Sequence, residues 1–135
     1  MNPLPPILVA EDDDDDFHFL RRAAREANVE NPILRFRDGL ELTKFLELAP
    51  PPKEQGAPWL LLLDLSMPMM NGFEVLQWLS AHPERPQVRP VILSGFYLPA
   101  DVERSRSLGA TEYVVKPIKS DTIALLANRP VPEAV

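Results

Sequence analysis

The chain has 135 residues, 45% of them hydrophobic, which suits one domain around a single core and leaves little room for a second with its own core. Twenty acids against 14 bases give a net charge of −6, the opposite of the basic footprint that a nucleic-acid backbone requires. The absence of cysteine excludes disulfides and thiolate chemistry, and two histidines, His18 and His82, are too few for an imidazole-rich zinc site.

Residues 1–6 read as a tail, with neither the basic start nor the apolar stretch of a secretion signal. No apolar run approaches the ~20 residues of a membrane span, so the chain reads as soluble and cytoplasmic. Ile7-Leu8-Val9-Ala10 is an unbroken apolar run of the kind that forms a strand covered on both faces. It stops at six consecutive acids, Glu11 to Asp16, and Phe17, Leu20, Ala24 and Ala27 then recur at helical spacing. Acids at a helix start suit its dipole, and Asp13 to Asp16 are read as helix-start and surface residues.

Asn31-Pro32 breaks this pattern, and Ile33-Leu34-Arg35-Phe36 is the second predicted strand. After the Asp38-Gly39 turn, Leu42, Phe45, Leu46 and Ala49 line a second helix that Pro50-Pro51-Pro52 terminates, and the polar stretch to Pro58 is a loop. Trp59-Leu60-Leu61-Leu62-Leu63, ending at Asp64, is the third strand, followed by the loop Leu65 to Gly72. Phe73, Val75, Leu76 and Leu79 mark a third helix, and Val91-Ile92-Leu93 a fourth strand running into Ser94-Gly95. A polar helix over Ala100 to Leu108 stops at Gly109, Tyr113-Val114-Val115 leads to Lys116-Pro117, and a last helix covers Ser120 to Ala127. The domain therefore spans residues 7–127, with a tail over 128–135.

Strands alternating with amphipathic helices predict an α/β, doubly wound fold with a mostly parallel sheet. In such sheets the ligand site lies at the carboxyl ends of the strands, where strand order reverses. Glu11, Asp12, Asp64, Ser94 and Lys116 all follow strands at that rim. Three converging carboxylates suit a hard divalent cation such as Mg²⁺. Asp12 and Asp64 are the candidate direct ligands, with a backbone carbonyl near Ser66 as a third and Glu11 acting through water. Lys116 keeps Asp64 ionised, and Ser94 is placed to donate to a phosphoryl oxygen, so the chemistry indicated is attack by Asp64 on an activated phosphorus.

Four segments in this order, each at a predicted strand end, resemble the receiver domain of two-component response regulators. They are Ile7 to Asp13, Leu62 to Gly72, Val91 to Gly95 and Tyr113 to Pro117. The resemblance implies a flavodoxin-like five-stranded parallel sheet in the order 2-1-3-4-5. It implies Mg²⁺ (or Mn²⁺) held by Glu11, Asp12, Asp64 and the Ser66 carbonyl, and Asp64 as phosphoacceptor from a sensor histidine kinase. Ser94 becomes the switch hydroxyl, Tyr113 the switch aromatic, Lys116 the site lysine, and the Lys116-Pro117 bond cis. Such a module catalyses only its own phosphorylation and dephosphorylation and signals through protein contacts.

Some residues depart from the commonest pattern in similar domains. Glu11 stands where Asp is more frequent, Asn71 where many have Asp at the start of the third helix, and Ser66 and Phe96 at positions that tune dephosphorylation. The Pro50 to Pro58 connection is similar to that of stand-alone receivers that accompany phytochrome-type kinases, which often form homodimers. The last helix looks short, and the chain ends soon after it, without an output domain. Two other functions compete: an aspartate-nucleophile phosphatase and a scaffold that is never phosphorylated. The phosphatase expects a second acid two residues after the nucleophile, where this chain has Ser66, and the intact set Asp12, Asp64, Ser94 and Lys116 speaks against the scaffold. His18 and His82 are read as surface residues, Trp59 and Trp78 as packing residues, and Met67, Met69 and Met70 as packing locally around their loop.

Overall fold

Splitting of the apolar runs between two faces organises the molecule. A computed structural model describes residues 4–48, 58–83 and 88–128; Ala49, the proline-rich stretch at 50–57 and the outer parts of both tails lie outside the described residues. The elements run β1 (Ile7–Ala10), α1 (Asp14–Glu26), β2 (Ile33–Phe36), α2 (Gly39–Leu48), β3 (Trp59–Asp64), α3 (Gly72–Ala81), β4 (Val88–Ser94), α4 (Pro99–Ser107), β5 (Glu112–Val115) and α5 (Ser120–Asn128). All strand pairings are parallel, in the order β2-β1-β3-β4-β5. The doubly wound fold expected from the sequence is the one observed.

Alternate residues of each strand leave opposite faces of the sheet. Leu8, Leu61, Leu63 and Ile92 pack with Leu42 and Leu46 of α2 and Val75 and Leu76 of α3. Ile7, Val9, Leu60, Leu62, Val91 and Leu93 pack on the other face with Leu20 and Ala24 of α1 and Ile123 and Leu126 of α5. Sandwiched on both sides, β1 and β3 have no polar alternation. Among the described residues no helix is long and apolar enough to cross a membrane.

Helix starts explain much of the local geometry. Asp13 caps α1, its side chain accepting the Asp16 N–H at 2.9 Å, and Asp14 to Asp16 occupy the positive end of the helix dipole. Asn71 begins α3 in a reciprocal capping box: it accepts the Glu74 N–H at 2.9 Å while Glu74 accepts the Asn71 N–H at 3.0 Å. A Cβ on Gly72 would lie 2.8 Å from the Asp64 carbonyl oxygen, so only glycine lets α3 start this close to the end of β3. Gly109, with φ of 107°, turns the chain out of α4.

Two boundaries differ from the sequence reading. β4 begins at Val88 rather than Val91, because Pro90 is accommodated before the pairing with β5 starts at Val91 and Glu112. The Pro90 carbonyl is instead taken by the N–H and hydroxyl of Thr111, at 2.8 and 3.0 Å. The last helix extends one residue further, to Asn128. Met67 is buried and Met70 half-buried as expected, whereas Met69, at φ of 68°, points into solvent.

Candidate functional site

Because β1 lies between β2 and β3, the chain reverses its direction of sheet growth at β1, and the ends of β1 and β3 are neighbours. Glu11 leaves the end of β1 almost fully buried, and Asp64 ends β3 with 5% exposure. Asp12 is exposed. One carboxylate oxygen from each of Glu11, Asp12 and Asp64 lies within 4.8 Å of the others. Three hard oxygen donors at that spacing, one open to solvent, fit a divalent cation that keeps several of its waters.

Lys116 enters from the end of β5, where the cis Lys116-Pro117 bond expected from the sequence is present. Its backbone N–H donates to the Ser94 carbonyl at 2.7 Å, tying the ends of β4 and β5 together. Its Nζ donates to Glu11 Oε1 at 2.6 Å and Asp16 Oδ2 at 2.9 Å, and stands 3.3 Å from Asp64 Oδ2. Burial works against the ammonium, but its bonds to Glu11 and Asp16 and the charge of Asp64 outweigh it and hold the pKa above the ordinary lysine range.

Burial also pushes the Glu11 carboxyl up from 4.5 to about 7; Lys116 pulls it down and the neighbouring Asp64 pushes it up again. Between those two values the folded chain keeps a proton that the unfolded chain has released. The stability this group contributes is therefore full below pH 4.5 and lost as pH rises through about 7. Relative to Glu11→Gln, the metal-free protein is expected to lose stability across that window by at most about 1.4 kcal/mol per pH unit. Added Mg²⁺ restores more at the upper end, where it no longer competes with a proton. Calorimetric Tm values for both proteins, with and without Mg²⁺, check this; parallel pH curves would refute it.

The remaining site residues surround this group. Asp64 Oδ1 accepts the Ser66 N–H at 3.2 Å. Ser94, buried at the end of β4, accepts the Phe96 N–H on its Oγ at 3.2 Å. Tyr113, half-buried, donates its hydroxyl to the Phe96 carbonyl at 2.7 Å and meets the edge of Tyr97 with ring centroids 5.9 Å apart. The residue following Ser94 by two thus receives both switch candidates. Phe96 itself is 72% exposed.

Two contributors escaped the sequence reading. Asp16, read as a surface residue, reaches Lys116. Arg35, on β2, donates to the Glu11 carbonyl at 3.1 Å, pairs with Asp14 at 2.8 Å and lies 4.5 Å over the Phe17 ring. The alternation of β2 was the signal for Arg35, since residue 35 shares a face with Ile33. His18 is exposed as expected, while His82 closes α3 and stacks on Trp78, with ring centroids 4.2 Å apart.

The model of the response regulator receiver domain matches residues 7–128, nearly the whole described chain. The protein belongs to the response-regulator receiver family. The chain is 30% identical over 112 residues to the polar-differentiation response regulator DivK of Brucella anthropi, covering 83% of this chain and 84% of that one. It is 29% identical over 115 residues to response regulator Rcp1 of Synechocystis sp., covering 85% and 78%. A solved Mn(2+)-bound form of Rcp1 shares 25% identity and superposes with a TM-score of 0.69, covering 91% of this chain and 88% of that one. The bacteriophytochrome response regulator RtBRR superposes with a TM-score of 0.77 at 32% identity, covering 98% of this chain and 81% of that one.

Proposed function

We propose that this receiver accepts a phosphoryl group on Asp64 from a phosphohistidine of a sensor kinase and switches its protein contacts in response. The observation that carries this reading is the buried Asp64 carboxylate, held 3.3 Å from Lys116 Nζ and sharing a divalent-cation site with Glu11 and Asp12. An Asp64 oxygen forms a bond to phosphorus, the phosphorus–nitrogen bond of the donor breaks, and its electron pair stays on the imidazole. Glu11, Asp12, Asp64 and the Ser66 carbonyl would hold Mg²⁺, which supplies charge neutralisation for the transferring group. Lys116 donates to a phosphoryl oxygen, as does the Ser94 hydroxyl, whose oxygen already accepts one N–H.

Contacts available only to the phosphorylated form shift the population. Ser94, drawn toward the phosphoryl group, loosens its hold on Phe96, and Tyr113, tied to the same residue, turns inward. The face around α4, β5 and α5 changes accordingly. The likeness to RtBRR supports a phytochrome-type histidine kinase as donor, and a homodimer is the assembled form proposed with it. The domain spans residues 7–127, the setting is cytoplasmic, and the protein acts catalytically only on its own phosphorylation and dephosphorylation.

Incubation with Mg²⁺ and acetyl phosphate, followed by intact-mass measurement, tests this reading. A single phosphoryl adduct is expected. Catalytic release of phosphate from many organic phosphates would indicate a phosphatase instead, and no adduct would indicate a scaffold. With the adduct in hand, Phe96→Ala is expected to lose its phosphoryl group a few-fold faster by admitting water; the effect stays small because the ring is mostly exposed. A phosphoryl half-life equal to that of the parent protein would remove Phe96 from the site.

A further inference from the structure

An ammonium group has exactly three N–H donors and a long flexible stem, so its aim depends on how many of those donors are held. Around Lys116 Nζ three carboxylates supply the acceptors: Glu11 at 2.6 Å, Asp16 at 2.9 Å and Asp64 at 3.3 Å. We infer that Asp16 is a positioning residue for the reaction, engaging one Lys116 N–H from the first turn of α1 so that the other two stay directed at Glu11 and the Asp64 oxygen. This rests on the reading of Asp64 as phosphoacceptor.

Asp16 differs from the other two partners in what a divalent cation does to it. Glu11 and Asp64 belong to the group of three carboxylates that converge on one point, and Asp16 does not. When a cation draws charge from Glu11, Asp12 and Asp64, Asp16 is the carboxylate that still holds the ammonium. It is itself fixed at the root: its N–H is bound to the Asp13 cap at 2.9 Å, which sets the phase of the α1 first turn. Its side chain lies on the wall of a groove of about 800 Å³ between α1 and the start of α5, which Lys116 also lines. Without Asp16 the Lys116 head is free to swing into that groove, away from the phosphoryl group it must meet. Asp16 thus acts on the maximal rate, through the orientation of Lys116, and not on capture of the donor.

The test is the rate of adduct formation from acetyl phosphate at saturating Mg²⁺, measured over a range of donor concentrations. Asp16→Ala is expected to lower the maximal rate about tenfold, the scale of one charge-assisted hydrogen bond, with little change in half-saturating donor. Asp16→Asn keeps an oxygen acceptor and is expected to recover to within about twofold of the parent. Equal maximal rates in Asp16→Ala and the parent would overturn the inference. So would faster acceptance in both variants, which would make Asp16 a charge that repels the donor, or a loss confined to half-saturation. A parent protein that forms no adduct overturns the receiver reading itself, whereas a labelled parent with an indifferent Asp16→Ala overturns the role of Asp16 alone.

Discussion

Asp64→Asn protein is expected to form no phosphoryl adduct with acetyl phosphate and Mg²⁺, while remaining folded. An amide oxygen lacks the negative charge that makes a carboxylate oxygen a nucleophile. Asn nevertheless retains an oxygen to accept the Ser66 N–H, now 3.2 Å from Asp64 Oδ1, so the turn after β3 survives. The substitution also removes one of two buried acids that share Lys116, so metal-free stability should hold or rise slightly. Affinity for Mg²⁺ should fall about tenfold or more, since one of three carboxylates is gone. Intact mass, Tm and a Mg²⁺ titration read these three outcomes. An adduct on Asp64→Asn at the rate of the parent would place the acceptor elsewhere.

Lys116→Met is expected to affect both chemistry and folding. Phosphoryl acceptance should fall by about 10²-fold or more, the scale of losing one preorganised charge aimed at a developing negative group. Unfolding free energy should drop by about 3–5 kcal/mol above neutral pH, because Glu11 and Asp64, both nearly buried, are left without their shared cation. The penalty shrinks as pH falls and Glu11 takes up a proton, which it does at higher pH than in the parent because the Lys116 bond that pulls its pKa down is gone. Mg²⁺ should also offset it, and should bind more tightly than in the parent because no ammonium competes for the same oxygens. Denaturant unfolding at two pH values, with and without Mg²⁺, separates these terms. A methionine variant as stable as the parent in metal-free buffer at pH 8 would mean that Lys116 is not the counter-charge of this site.

What could be read in advance follows from the range of each interaction. β1 and β3 were legible because a strand buried on both faces must be apolar throughout, and Ile7–Ala10 and Trp59–Leu63 have few other uses. Asn71 announced the start of α3 because capping is a contact over three residues, internal to the sequence. The beginning of β4 was hidden by Pro90, whose missing N–H argues against a strand unless the neighbouring strand begins only beyond it, as β5 does at Glu112. Among six successive acids, nothing local says which turn inward. Glu11 and Asp12 were identified by the strand that delivers them, whereas Asp16 depends on the phase of α1 and on a lysine 100 residues away. The roles of Arg35 and the Tyr113 hydroxyl likewise depend on partners that only the folded sheet brings close.

Every reactive side chain leaves the sheet at the rim where its strands finish, whereas the chain enters each strand from the far rim. The segment between α2 and β3, with its prolines, joins β3 at Trp59, and four strand residues lie between that entry and Asp64. Changes in length there must pass through a fully packed strand before they reach the nucleophile. The lower rim is accordingly free to drift, to lengthen or to acquire new contacts while the upper rim stays in tune. A fold of this kind can be customised at one end without being retuned at the other.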